Sequence, residues 1–225
     1  MSTNFFNNVQ IKIYKKSNPQ GWELVPTRSI WIEGECSLNL TNSEFFNSSC
    51  YTKGSFLHLG SQKDILISQC SFEECFARDE TGHAIYITHE SEGSVRIEFC
   101  NFLDCGKNNT GFVVVAEVSG LTFYNNSVNF SNPANNSGCV LCLSKGQYIF
   151  ENNYFTKASQ NNNCGTAIAY QGEDSNPKEE NIVIDGNTFD CICGNGNGRC
   201  ISAIIREGKL TVLNRNFFQN CPQGS

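Results

Sequence analysis

The chain has 225 residues with 16 basic against 22 acidic side chains, a net charge of −6. That length can bury a sizeable core as one domain, and no basic cluster interleaved with aromatics marks a nucleic-acid partner. One methionine, 17 phenylalanines and 19 glycines, with no Leu/Ala/Glu/Lys stretch at helical spacing, turn the reading away from helices. The longest apolar runs are short, as at Phe112–Ala116, too short to span a bilayer as a helix.

In chain order, Met1–Asn8 lacks the basic and apolar regions of a secretory signal. Residues 1–28 read as an irregular N-terminal segment or a degenerate rung. Thr3–Asn8 resembles Arg215–Asn220, and Val9, Ile11 and Ile13 alternate as a strand would. From residue 29 to 221 one phrase recurs: two apolar residues separated by one, then Ser, Cys or Asn, then Phe. It runs from Leu38/Leu40/Ser43/Phe45 through Ile65/Ile67/Cys70/Phe72, Val95/Ile97/Cys100/Phe102, Leu121/Phe123/Asn126/Val128, Tyr148/Phe150/Asn153/Phe155 and Ile182/Ile184/Asn187/Phe189 to Leu210/Val212/Arg215/Phe217. The copies start 27, 30, 26, 27, 34 and 28 residues apart. Between them lie strand-like blocks such as Gly54–Leu59, Gly82–Ile87, Gly111–Ala116 and Gly138–Leu143. Residues 222–225 are a tail.

A period near 27 residues with short strands and no helix specifies a solenoid. The expected fold is all-β, a right-handed parallel β-helix of about seven rungs. Stacked rungs set like residues at the ~4.8 Å strand spacing, so residues form vertical files. Leu38, Ile65, Val95, Leu121, Tyr148, Ile182 and Leu210 point inwards; Phe45, Phe72, Phe102, Phe155, Phe189 and Phe217 fill the corner; Asn126, Asn153 and Asn187 form an amide ladder. The ends lack capping helices, so end rungs are expected to meet further chain or a partner.

Thirteen cysteines is an odd number and too sparse for a disulfide scaffold. Cys70 shares a file with Cys100, and Cys75 with Cys105. Small apolar packing is one reading and cross-rung disulfides the other, since file neighbours lie within disulfide reach. A tetrahedral metal site across the turn would be distorted, so no metal or cofactor is expected. Cys139 and Cys142, three apart in a strand, are expected to face opposite ways. Six Asn-x-Ser/Thr sequons suggest glycosylation only weakly.

On the outer face, the file Thr41, Ser68, Glu98, Tyr124, Glu151, Asp185, Leu213 places an aromatic beside two acids on consecutive rungs. Tyr124, Glu151 and Asp185 are candidate contacts for a carbohydrate or a cation. Glu74 and Asp104 share another file with no basic partner in register. His58, His83 and His89 are scattered and build no triad. Gly194–Gly198 lacks the Lys-Ser/Thr of a phosphate loop, and the polar insertion Gln171–Asn181 accounts for the 34-residue interval.

Gly82-His-Ala-Ile and Gly165-Thr-Ala-Ile, with Ser71-Phe-Glu-Glu-Cys and Asn216-Phe-Phe-Gln-Asn, give residues 29–221 a family likeness. The chain resembles the pectin-lyase-like right-handed β-helix superfamily, and more narrowly the polymorphic outer-membrane-protein and adhesin-like repeats. Those repeats pair a Gly-Gly-Ala-Ile phrase with a Phe-x-x-Asn phrase; here the second Gly is missing throughout and cysteine is more frequent. The resemblance implies a non-catalytic module for surface adhesion, or a scaffold offering a face to glycan or protein. The alternative it implies is a polysaccharide lyase or glycoside hydrolase using acids on the outer face. Display at a cell surface is expected if the chain belongs to a longer protein.

Overall fold

The computed structural model describes residues 10–15, 28–33, 37–46, 49–50, 55–60, 64–77, 83–88, 93–105, 112–131, 138–156, 159–160, 167–172, 180–190, 193–194, 200–205 and 208–221. Among these, every regular element is a strand. The strands stack into three long sheets of eight, seven and seven strands, here A, B and C. One coil runs through A, B and C in turn, as in Ser55–Gly60, Ile65–Ser68 and Ser71–Glu73, and the next begins at His83–Thr88. Each strand pairs in parallel with its counterparts in neighbouring coils. The exception is Gln10–Lys15, which lies antiparallel on Arg28–Glu33 at the start of sheet A.

The register puts the inward residues of sheet B in one file, Leu38, Ile65, Val95, Leu121, Tyr148, Ile182 and Leu210. All are buried except Leu210, in the last described coil, beyond which no further strand lies among the described residues. Identical side chains at strand spacing stack ring on ring along the corner. Phe45, Phe72 and Phe102 lie 4.9 and 5.0 Å apart with their rings nearly parallel. The next residue in that file is Val128, too small to continue the stack, and the inward Phe123 of sheet B fills the gap. It stacks on Phe102 at 6.3 Å and on Phe155 at 6.2 Å, and Phe155–Phe189–Phe218 complete the column at 5.3 and 4.8 Å.

The last member corrects the expectation of Phe217. Thr188 is opposite Phe217 and Phe189 opposite Phe218, because the final B-to-C turn holds one more residue than the others. Phe217 points outwards and is exposed. The same slip moves the last ladder position from Arg215 to Asn216.

The ladder sits at the B-to-C corner. Asn126 Nδ2 donates to Ile97 O at 2.9 Å, and its Oδ1 accepts from Cys100 N at 2.9 Å. Asn153 Nδ2 donates to Phe123 O at 2.7 Å, and its Oδ1 accepts from Asn126 N at 2.9 Å. Asn187 does the same with Phe150 O and Asn153 N, and Asn216 with Ile184 O and Asn187 N. Each amide thus satisfies backbone groups of the preceding coil that the corner would leave unpaired inside the protein. The residue before every ladder position but the last turns the chain in the left-handed region: Asn42, Gln69, Phe99, Asn125, Asn152 and Gly186, with φ from 49° to 65°. At Gly186 a Cβ would also meet Asn152 Oδ1, which would have to move aside.

Phe102→Ala is expected to cost about 3–5 kcal/mol, whereas Phe217→Ala should stay within about 0.5 kcal/mol, read as the difference in chemical-denaturation midpoints. Asn153→Ala should cost about 3 kcal/mol, because Phe123 O and Asn126 N lose a buried partner; the same titration measures it.

Candidate functional site

The B-to-C corner carries three outward files side by side. The end of sheet B contributes Thr41, Ser68, Glu98, Tyr124, Glu151 and Asp185 in register. The left-handed corner residues come next, and then the outward positions of sheet C: Glu44, Ser71, Asn101, Ser127, Tyr154, Thr188. Asn and Gly suit the corner because they tolerate positive φ. Phe99 does not, and a bulky residue held at φ 55° carries backbone strain that packing must offset. Its ring is 47% exposed and meets Tyr124 edge-on, with centroids 5.5 Å apart at 85°. Beside it lies a groove of about 380 Å³ lined by Asn42, Glu44, Gln69, Cys70, Ser71, Phe99 and Asn101. Amides, a hydroxyl, one carboxylate and an aromatic ring therefore share one rigid corner.

Tyr124, Glu151 and Asp185 do lie on three successive strands, but they do not form one open set. Tyr124 and Glu151 are half-buried. Asp185 is buried, and both of its carboxylate oxygens accept from Arg215, Oδ1 from Nε at 2.9 Å and Oδ2 from Nη2. Arg215 was missed because the one-residue slip of the last coil lifts it out of the ladder and over the outer face. A second acid in the file, Glu98, pairs with Arg96 and accepts from Ser68 Oγ at 3.4 Å. Of the other acid file, Glu74 and Asp104 occupy a second left-handed corner, where Asp104 Oδ1 accepts from Ser131 N at 2.7 Å.

The cysteine files are thiol versions of the amide ladder. Cys100 Sγ donates to Ile67 O at 3.6 Å and Cys70 Sγ to Leu40 O at 3.5 Å, the carbonyls that asparagine takes in later coils. Cys75 and Cys105 do the same at the second corner, donating to Phe45 O and Phe72 O at 3.4 and 3.3 Å. Cys221, which sequence reasoning left out, is a third member and donates to Phe189 O at 3.5 Å. Cys70, Cys75, Cys100, Cys105, Cys139, Cys142, Cys200 and Cys221 are in no disulfide. The neighbouring Cys100 side chain draws the Cys70 thiol below its ordinary value, and Cys70, with burial, pushes Cys100 far up. Burial raises Cys105, Cys139 and Cys142. Cys139 and Cys142 are both fully buried and belong to the main core cluster. Among the described residues no cluster of His, Cys, Asp or Glu could hold a metal.

Sequence reasoning also missed the outside of sheet A. His58, Tyr86, Val115, Leu141 and Ala169 form its outward file. Phe112, Val115 and Ala169 are buried there, with Tyr86, Leu141 and Leu143 packed around them. His58 and Tyr86 rings lie 5.2 Å apart. Burial, then a hydrogen bond to Glu117, raises the Tyr86 phenol above its usual range, so it remains a donor. The one signal was the unbroken apolar run Phe112–Ala116, as expected of a strand covered on both faces. His83 side-chain contacts, His89, Gly196 and most of the 171–181 insertion lie outside the described residues.

Arg215→Ala should destabilise the protein by about 1–3 kcal/mol, the cost of leaving Asp185 buried without a partner. Adding Asp185→Asn should recover most of it, which a double-mutant cycle of denaturation midpoints will read. The chain matches no family model, no curated protein and no solved structure.

Proposed function

We propose that this chain is a non-catalytic β-solenoid module that binds glycan along the B-to-C corner, as a surface-adhesion or scaffold element. The observation that carries the reading is Phe99: an exposed ring on a strained corner, edge-packed on Tyr124 beside a polar groove. An aromatic face packs against the C–H face of a sugar, while amides and hydroxyls reach its hydroxyl groups. Asn42, Gln69, Ser71 and Asn101 supply those groups from neighbouring coils, so the site repeats at the strand spacing and suits an extended chain. The catalytic alternative has less to support it, because Arg215 takes both oxygens of Asp185 and leaves Glu151 as the one acid of the candidate trio.

Titration with a panel of neutral and acidic oligosaccharides tests this by calorimetry. Phe99→Ala and Tyr124→Ala should each weaken binding about tenfold, equivalent to about 1.4 kcal/mol, while Glu151→Gln leaves it unchanged. Binding indifferent to Phe99→Ala would sink the corner site. Sugar cleavage lost in Glu151→Gln would replace the module by an enzyme.

A further inference from the structure

We propose that Cys200 and Cys221 are a covalent cross-linking site that closes the last coil on itself. Cys200 immediately precedes the final sheet-A strand, Ile201–Ile204, and Cys221 follows the final sheet-C strand, Phe217–Gln219, after the left-handed Asn220. They are the start and the finish of one coil. Their sulfurs lie 3.4 Å apart, the Cys200 thiol donating to Cys221.

The last coil is where such a closure matters. Inner coils are gripped by strands on both sides, and the end of each sheet-C strand leads on into the next coil. Among the described residues the final strands pair on one side only, and Leu210, Val212 and Phe218, which occupy inward files, are exposed. Ends held this way open first.

Access distinguishes this pair. Among the cysteines whose side chains the structure describes, Cys200 and Cys221 are part-exposed and the other six buried. Cys70 has the most easily ionised thiol of its file, but it is 2% exposed, and an oxidant must reach the sulfur it attacks. Cys139 lies two strands from Cys200 along sheet A, about 10 Å away at strand spacing and beyond disulfide reach.

With a small-molecule disulfide as oxidant the chemistry balances. One protein thiolate attacks the oxidant's S–S bond, forming a mixed disulfide and releasing one small thiolate. The second protein thiolate attacks the mixed disulfide, forms the Cys200–Cys221 bond and releases the other small thiolate. The two protein thiols lose two electrons, the oxidant gains them, and the two protons pass to the released thiolates.

The test equilibrates the full native chain with oxidised glutathione, blocks remaining thiols with N-ethylmaleimide, and maps unreduced peptides by mass spectrometry. A single Cys200–Cys221 link, lighter by two hydrogens, is expected. It should come with slower amide exchange across residues 201–221, a slowing lost in Cys200→Ser and in Cys221→Ser. Separate alkylation of the two residues would overturn the proposal, as would oxidation that joins Cys70 to Cys100 instead. So would a link that leaves exchange in the last coil unchanged.

Discussion

A parallel stack with a fixed strand spacing obliges every coil to place like groups above like. Side chains then interact mainly along the stack, and the polar groups of the sharpest corner are answered by the neighbouring coil. The asparagine ladder is that answer at the sharpest corner: one amide caps a carbonyl of the preceding coil while its oxygen receives that coil's N–H. The phenyl column is its apolar counterpart. Where one member shrinks to Val128, a ring from the adjoining sheet moves in to keep the contact. The corner conserves occupancy rather than residue type.

The same rule explains the cysteines without a disulfide framework. At Cys70 and Cys100 the corner asks for a small side chain able to donate to a buried carbonyl of the coil before, and a thiol does this less strongly than an amide. Ser43 heads the file and bonds locally to Thr41 O at 3.0 Å. From the first coil to the last, the file changes from hydroxyl through thiol to amide, and hydrogen bonding along the stack strengthens with it.

Much of the fold was legible because each coil repeats its inward phrase. Leu38, Ile65, Val95, Leu121, Tyr148 and Ile182 could be aligned by eye, and the register agrees. The outer file of Tyr124, Glu151 and Asp185 followed from the same alignment. The final turn was not legible: Arg215 and Asn216 both fit the phrase, and only three-dimensional pairing decides between them. That ambiguity hid the fate of Asp185, since its partner is the residue displaced by the choice. Phe99 was hidden for another reason. Asn42, Asn125 and Gly186 announce a left-handed corner by type, whereas a phenylalanine there can be recognised only by its position among them.

The extra residue in the last B-to-C turn has a consequence for how such a molecule changes. Within the stack, lengthening a corner by one residue would demand the same adjustment above and below, so mid-stack corners resist insertion. The last coil has a neighbour on one flank only and absorbs the slip, turning Phe217 outwards and freeing Arg215 to close over Asp185. A single inserted residue in this turn thus recasts a surface without disturbing the column beneath.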